Sequence, residues 1–353
     1  MTPVCVQDYE ALAQAHLSEQ AWAYFAGAAG DEITNRENRS AWDGLRLLPR
    51  VMRPLGGGDT AITLLGRVWP TPLLLAPVAL QKLAHAQGEQ ATAMAAAAQG
   101  AGLVLSAMSS VPLEAVAAQV LGEPARGPLW LQVYLQADRG ATRALAQRAR
   151  EAGFEALVLT LDAPLHGARD RERRAGFRLP AGVSAVNLAP TAAAPTGSRF
   201  DFAQAHAPCW DDIRWLAEAS GLPVLVKGVL HPDDARLALA AGAAGVIVSN
   251  HGGRTLATAL STAAALPAVA DALGGALPVL VDGGIRRGTD VLKALSLGAD
   301  AVLVGRPQVM ALAAGGAPAV AHMLRLLRDE FEIAMALCGC RHLSDISAAL
   351  LAR

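Results

Sequence analysis

The sequence predicts an α/β protein, a (β/α)8 barrel with parallel strands alternating with helices. Three observations carry that expectation. Short apolar runs recur eight times, at residues 73–76, 103–105, 129–133, 156–160, 223–226, 245–248, 278–281 and 301–304. Most of them are spaced at the length of one strand–helix unit. Each run ends in a polar or glycine-bearing tip and is followed by an Ala-rich segment of helical character. A doubly wound open sheet would show the same rhythm, and the count alone does not separate the two.

Composition limits the function classes. Of 353 residues, 53% are hydrophobic and 17% charged, which excludes disorder as the main state. Lys and Arg total 30 against 31 Asp and Glu. That balance argues against nucleic acid as a partner, because phosphate neutralisation needs a basic face. Only three lysines are present, Lys82, Lys227 and Lys293, in a chain otherwise using Arg. The two side chains differ in shape and hydration, so a retained Lys marks a place where Arg is no substitute.

Mean hydropathy is positive, +0.31. Even so, the apolar runs are short and interrupted, so they read as buried strands and no membrane span is expected. Asp8 and Glu10 near the start leave no basic-then-apolar signal peptide. Cys5, Cys209, Cys338 and Cys340 are expected as free thiols in a reducing cytoplasm. Cys338-Gly339-Cys340 is too tight for the usual zinc pair and has no partner set nearby, so no metal site is expected.

In chain order, residues 1–65 read as an N-terminal helical extension, with helices at 7–14 and 19–26 and a Gly/Pro-rich stretch at 49–59. The gap after the fourth run holds an insertion, 170–209, rich in Ala, Pro, Gly and Ser around 180–195. A long loop of that kind reads as a lid. Residues 317–336 read as one or two helices closing the outside. The whole chain, 1–353, reads as a single barrel domain.

Chemistry in such barrels sits at the C-terminal ends of the strands. The first run ends in Ala76-Pro77-Val78-Ala79, the second in Ser106 with Met108 beyond it, the third in Gln132-Val133-Tyr134, and the fourth in Thr160-Leu161-Asp162. The fifth delivers Lys227, and the sixth Ser249-Asn250-His251-Gly252-Gly253-Arg254. The seventh ends in Asp282-Gly283-Gly284-Ile285-Arg286 and the eighth in Gly305-Arg306. The last two tips suit a phosphate, with glycine backbone for close approach and arginines for charge-assisted bonds. Lys227 follows a wholly apolar run. It would balance negative charge on a ligand or form an ion pair with Asp282. His251 beside Arg254 suits a base acting on an anionic substrate, with Asp162 to orient its imidazole. Arg169 opens a basic run through Arg174 that otherwise reads as a solvated face. The remaining histidines considered, His16, His85, His206, His231, His322 and His342, lack such company.

These motifs resemble the FMN-dependent 2-hydroxy acid oxidases and dehydrogenases, the family of glycolate oxidase, lactate oxidase and mandelate dehydrogenase. The likeness runs from about Tyr9 to Ile346. It rests on Ser249 to Arg254, on Leu225-Val226-Lys227-Gly228 and on Asp282 to Gly288. It is supported by Gln81-Lys82, Gln132 to Tyr134, Thr160 to Asp162 and Asp329-Glu330-Phe331. The resemblance implies FMN across the barrel mouth. Pro77, Ala79, Ser106, Gln132, Thr160, Lys227 and Ser249 would lie around the flavin ring. Asp282, Gly284, Arg286, Gly305 and Arg306 would hold the ribityl chain and phosphate. His251 would be the base, with Asp162 and Tyr134 assisting. Tyr24, Tyr134, Arg169 and Arg254 would bind the substrate carboxylate or hydroxyl, and Met108 would face the side chain. The implied reaction is oxidation of an (S)-2-hydroxy acid to a 2-oxo acid, with O2 or a quinone as final acceptor, in a cytoplasmic homotetramer.

Three departures shape the expectations. Ala257 stands where relatives carry an acid, which would leave the loop bearing Arg254 less restrained. Met108 is flexible and of medium size, so an aliphatic substrate side chain is expected. The insertion is short, implying a small lid. Two other readings remain: another FMN barrel, such as a type 2 isopentenyl diphosphate isomerase, and a flavin-binding paralogue without turnover.

Overall fold

The computed structural model describes residues 2–188 and 198–352. The chain opens with α1 (Asp8–His16), α2 (Glu19–Ala26) and α3 (Ile33–Gly44). Ser18 caps α2, its hydroxyl accepting from the Ala21 amide at 3.2 Å. An antiparallel hairpin, β1 (Ile62–Leu64) and β2 (Arg67–Trp69), comes next. The alternation then begins with β3 (Leu73–Leu75), α4 (Glu89–Ala98), β4 (Gly102–Ser106), α5 (Leu113–Val120), β5 (Leu129–Val133), α6 (Arg139–Glu151) and β6 (Ala156–Thr160). Two short helices, α7 (Asp170–Arg174) and α8 (Arg199–His206), lie in the insertion. The alternation resumes with α9 (Asp211–Ser220), β7 (Val224–Val229), α10 (Pro232–Ala240), β8 (Gly245–Val248), α11 (Thr262–Leu273), β9 (Val279–Val281), α12 (Gly288–Ser296) and β10 (Ala301–Val304). The long α13 (Arg306–Leu337) follows.

Strands β3 to β10 pair in parallel in sequence order, and β10 returns to β3. The barrel is closed, which removes the open-sheet alternative. Helices cover its outside, so the strands are buried on both faces and read as continuous apolar runs. The period of two still divides them. Leu74, Val104, Trp130, Val158, Leu225, Ile247, Leu280 and Leu303 fill the interior. Their neighbours, such as Leu75, Leu103, Leu131, Leu157 and Val226, pack outward under the helices.

Following the inward register two residues further reaches Ala76, Ser106, Gln132, Thr160, Lys227, Ser249, Asp282 and Gly305. The same face of the same strands thus changes from apolar to polar at the rim, and this places the site. At the opposite end Trp69, from the hairpin, meets Trp130 edge-on at 5.3 Å and fills the barrel floor.

The expected strands appear with ends within three residues. Helix α3 and the floor hairpin are additions, and α13 begins well before residue 317. By length and composition α13 could cross a membrane, but half of its most apolar stretch is buried here. It is kinked at Gly315 and Gly316 and packs on α1, α4 and α12. Part of the expected lid, 189–197, lies outside the described residues.

Candidate active site

A cavity of about 920 Å3 opens at the C-terminal mouth of the barrel, within the size range of cofactor and ligand sites. Its floor is a polar relay across adjacent strands. The Ser106 hydroxyl lies 3.2 Å from Gln132 Oε1, and Gln132 Nε2 donates to Thr160 Oγ1 at 3.0 Å. On the next strand Lys227, 3% exposed, places Nζ 2.8 Å from Ser249 Oγ and 3.0 Å from Asp282 Oδ2. Burial alone would push this ammonium toward neutrality. The Asp282 and Asp162 carboxylates outweigh that and hold its pKa above the ordinary lysine value. The ion pair anticipated as one of two readings is therefore present, and Lys227 also lines the cavity.

The reacting end lies on the loop after β8. His251 has φ 57°, a left-handed backbone that is costly for a side chain of this size. The turn is held by the Ser249 hydroxyl, which accepts from the His251 amide at 3.0 Å, and by Asn250 Oδ1, which accepts from Gly253 N. His251 Nδ1 stands 3.0 Å from Asp162 Oδ1. Burial raises the Asp162 carboxyl, but His251 and then Lys227 overcome this and keep it below its ordinary value. It is therefore an anion at neutral pH, able to fix the ring and stabilise an imidazolium. Gly228 makes room for it: φ is +107° there, and a Cβ would fall 2.5 Å from Asp162 Cβ.

The arginines are tied to the N-terminal segment. Arg254 Nη1 donates to the carbonyls of Tyr24 and Gly27 at 2.6 and 2.7 Å, and Nη2 reaches Glu172 at 3.1 Å. Arg306 donates to the Phe25, Gly27 and Gly252 carbonyls and to Asn35 Oδ1. The two guanidiniums thus satisfy open carbonyls at the C-terminus of α2, where cations are favoured. Arg169 lies 3.5 Å from the same Glu172 oxygen, and its buried Nε has no partner among the described residues. Arg254 also sits 5.2 Å over the Tyr24 ring, which stacks on Phe177 at 4.8 Å and meets Phe25 edge-on at 5.0 Å. Burial raises the pKa of the Tyr134 phenol, and the Asp162 charge adds to this, so it stays protonated.

At the far end Gly283 and Gly284 have φ of +88° and +85°. Helix α3 presses on them from outside. Trp42 Nε1 donates to the Gly283 carbonyl at 2.7 Å, and Arg39 bonds the Gly284 carbonyl while pairing with Asp290. A Cβ at Gly284 would lie 2.3 Å from the Asn38 carbonyl oxygen. Arg286 is half-buried, and its guanidinium donates to the Ile285 carbonyl at 2.9 Å. Burial lowers its pKa.

Most of the sequence-predicted residues meet at this cavity. Tyr24, Pro77, Ala79, Ser106, Met108, Gln132, Tyr134, Thr160, Arg169, Lys227, His251, Arg254, Asp282, Gly284, Arg286, Gly305 and Arg306 line it. Asp162 stands behind His251. Two expectations, for Ser249 and Ala257, need correction. Ser249 is fully buried and does not line the cavity; it positions Lys227 and His251. Arg306 lines the cavity while its guanidinium donates to protein carbonyls and Asn35, and its backbone opens α13, where an anion is favoured. The loop carrying Arg254 is not loosened by Ala257, because Glu172 supplies a carboxylate from α7 and Ala257 packs beside Gly30.

Several lining or supporting residues escaped the sequence reading. Glu172 was hidden in a basic run. Phe177 and Phe202 sit in the insertion, and His166 was passed over between Asp162 and Arg169. Glu89 is fully buried and accepts from the Gln81 and Ser110 amides and the Ser110 hydroxyl, tying the loops that carry Ala79 and Met108.

The description of FMN-dependent dehydrogenase matches residues 13–353. The chain belongs to the FMN-dependent dehydrogenase family. It is 46% identical to an L-lactate oxidase of Nostoc sp., covering 99% of this chain and 98% of that one. It is 43% identical to glycolate oxidase 1 of Zea mays, covering 97% and 94%. Mandelate oxidase solved with (S)-2-phenylpropionate superposes with a TM-score of 0.89 at 40% identity, covering 99% and 98%. The protein is an FMN-dependent 2-hydroxy acid oxidoreductase on a TIM barrel.

The cavity fits that cofactor on its own terms. Asp282 Oδ1 is buried with no partner among the described residues and faces the chamber. Gly283 and Gly284 line the chamber with bare backbone that α3 holds from behind, and Arg286 lines it beside them, available for a phosphate.

Proposed function

We propose that the protein oxidises a short (S)-2-hydroxy acid, the class that includes L-lactate, to its 2-oxo acid and passes the electrons to O2. The observation that carries this is the His251–Asp162 pair at 3.0 Å, facing the same cavity as Arg169 and Arg254. Relatives named as lactate and glycolate oxidases support the substrate class and the acceptor, with a quinone as the second choice.

When bound, FMN accepts two electrons from the substrate. Arg169 and Arg254 hold the substrate carboxylate. They share one carboxylate, Glu172, so the cluster carries about one positive charge in excess, which matches one incoming anion. Tyr24 and Tyr134 bring phenol groups to the same region. With Nδ1 turned to Asp162, Nε2 of His251 is the ring nitrogen left to take a proton. Asp162 then faces an imidazolium. Lys227 places a buried positive charge next to the relay of Ser106, Gln132 and Thr160, where negative charge on the ring system would be balanced. We further propose that the whole chain acts as one FMN domain and assembles as a cytoplasmic homotetramer. The four unbridged cysteines and an exposed apolar stretch at Leu48, Val51, Met52 and Leu55 support this. Light scattering of the purified protein tests the assembly.

The test of function is an anaerobic visible spectrum with L-lactate, glycolate and (S)-mandelate added in turn. Bleaching of the flavin bands by L-lactate, with fast recolouring in air, is expected. A yellow protein that none of them bleaches overturns the proposal and favours a paralogue without turnover.

A further inference from the structure

The loop leaving β6 carries a side chain that the mechanism leaves unused. His166 lies between Asp162 and Arg169, and its imidazole is open to the cavity. It hydrogen-bonds to no described residue. Its backbone is fixed by the two residues that follow it. A Cβ on Gly167 would fall 2.2 Å from the Thr255 carbonyl oxygen, and the Ala168 carbonyl accepts from Gly30 N at 2.7 Å. The imidazole is therefore presented to the chamber by a clamped loop, as a recognition group must be.

Its surroundings define what it can recognise. Burial, then the charges of Arg169, His251 and Arg254, push its pKa below the ordinary histidine value, so at neutral pH it is an uncharged ring with one donor and one acceptor. The arginine pair, with Glu172, is already matched to one carboxylate, so a second anion is not called for. Met108, Leu165, Phe177 and Leu179, which line the same cavity, offer carbon and sulfur. A bound aliphatic side chain would leave the His166 ring nitrogens without a protein partner, whereas a hydroxyl would satisfy one of them.

We propose that His166 is a specificity-determining residue that bonds a hydroxyl on C3 or C4 of the substrate, so that the site favours hydroxylated 2-hydroxy acids over their deoxy counterparts. This rests on the reading of the cavity as a 2-hydroxy acid site and sharpens the aliphatic expectation drawn from Met108.

Two matched pairs test it: L-glycerate against L-lactate, and L-2,4-dihydroxybutyrate against L-2-hydroxybutyrate. The measured quantity is the ratio of kcat/KM within each pair, for the FMN-loaded wild type, His166→Leu and His166→Gln. In at least one pair, His166→Leu is expected to lower the hydroxylated-to-deoxy ratio about tenfold, the worth of one good hydrogen bond, with Gln restoring part of it. Calorimetric binding of hydroxypyruvate and pyruvate to the oxidised protein should show the same shift without turnover. If Leu changes both members of each pair by the same factor, the proposal is wrong while the oxidase reading stands. If the wild type turns over no member of either pair, both fail together.

Discussion

The two ends of the cavity are built differently. At the reacting end each functional side chain is held by other groups: His251 by Asp162, Lys227 by Asp282 and Ser249, Arg254 by Glu172 and the carbonyls of α2. At the opposite end the ligand-facing surface is largely backbone, at Gly283, Gly284 and Gly305, propped from outside by Asn38, Arg39 and Trp42 of α3. The first end can lose chemistry while keeping its shape. The second loses its ligand as soon as the backbone moves.

Substitutions at each end separate the two behaviours. The largest effect is expected from His251→Gln, which should slow anaerobic flavin reduction about a thousandfold while FMN remains bound at full occupancy. Stopped-flow spectra read both quantities, and a rate near wild type would remove His251 as the base. Gly284→Ala should do the opposite. Its methyl meets the Asn38 carbonyl at a left-handed φ, and the cost is about 2–4 kcal/mol, seen as a lower urea midpoint and as flavin lost on gel filtration. Full retention of FMN would show that the cradle tolerates movement.

A smaller change is expected from Glu172→Gln. It leaves Arg169 and Arg254 without their shared anion, so oxalate should inhibit about three- to tenfold more tightly, with FMN affinity unchanged. Equal inhibition constants in the two proteins would mean that Glu172 does not compete for the pair. The smallest effect concerns acid. Asp162 is held below its ordinary value of 3.8, so its ionised form contributes stability that is fully present above about pH 5 and is lost as pH falls through the folded-state pKa. Denaturation curves of wild type and Asp162→Asn should therefore keep a constant gap above that pH and converge below it. A gap independent of pH would contradict the depressed pKa.

The barrel was legible because its strands are buried on both faces and so stand out as short apolar runs, each ending in the residue that reaches the rim. His251, Asp162 and Lys227 were legible for the same reason: they sit at or just past strand ends. Helix α3 was not, because it carries Arg36, Glu37 and Asp43 on an exposed side and buries few positions such as Asn38 and Trp42. Glu172 looked like one more charge in a solvated run, and only the fold brings it between Arg169 and Arg254. Arg306 looked like a phosphate ligand, and nothing local in the sequence signals that α2 ends against it. Ser249 shares the inward register of Lys227, but its depth below the rim depends on the turn that follows.

The tryptophan-filled floor has a consequence for traffic. Trp69 and Trp130 close the end of the barrel opposite the mouth, and apolar side chains fill the space between. Among the described residues, incoming acid, departing oxo acid and electron acceptor therefore share one vestibule, lined by Phe177, Leu179 and Phe202. The dwell time of the product in that vestibule then sets how soon the acceptor can follow. The choice between a small gas and a bulky quinone becomes a question of what can slip past an occupied doorway.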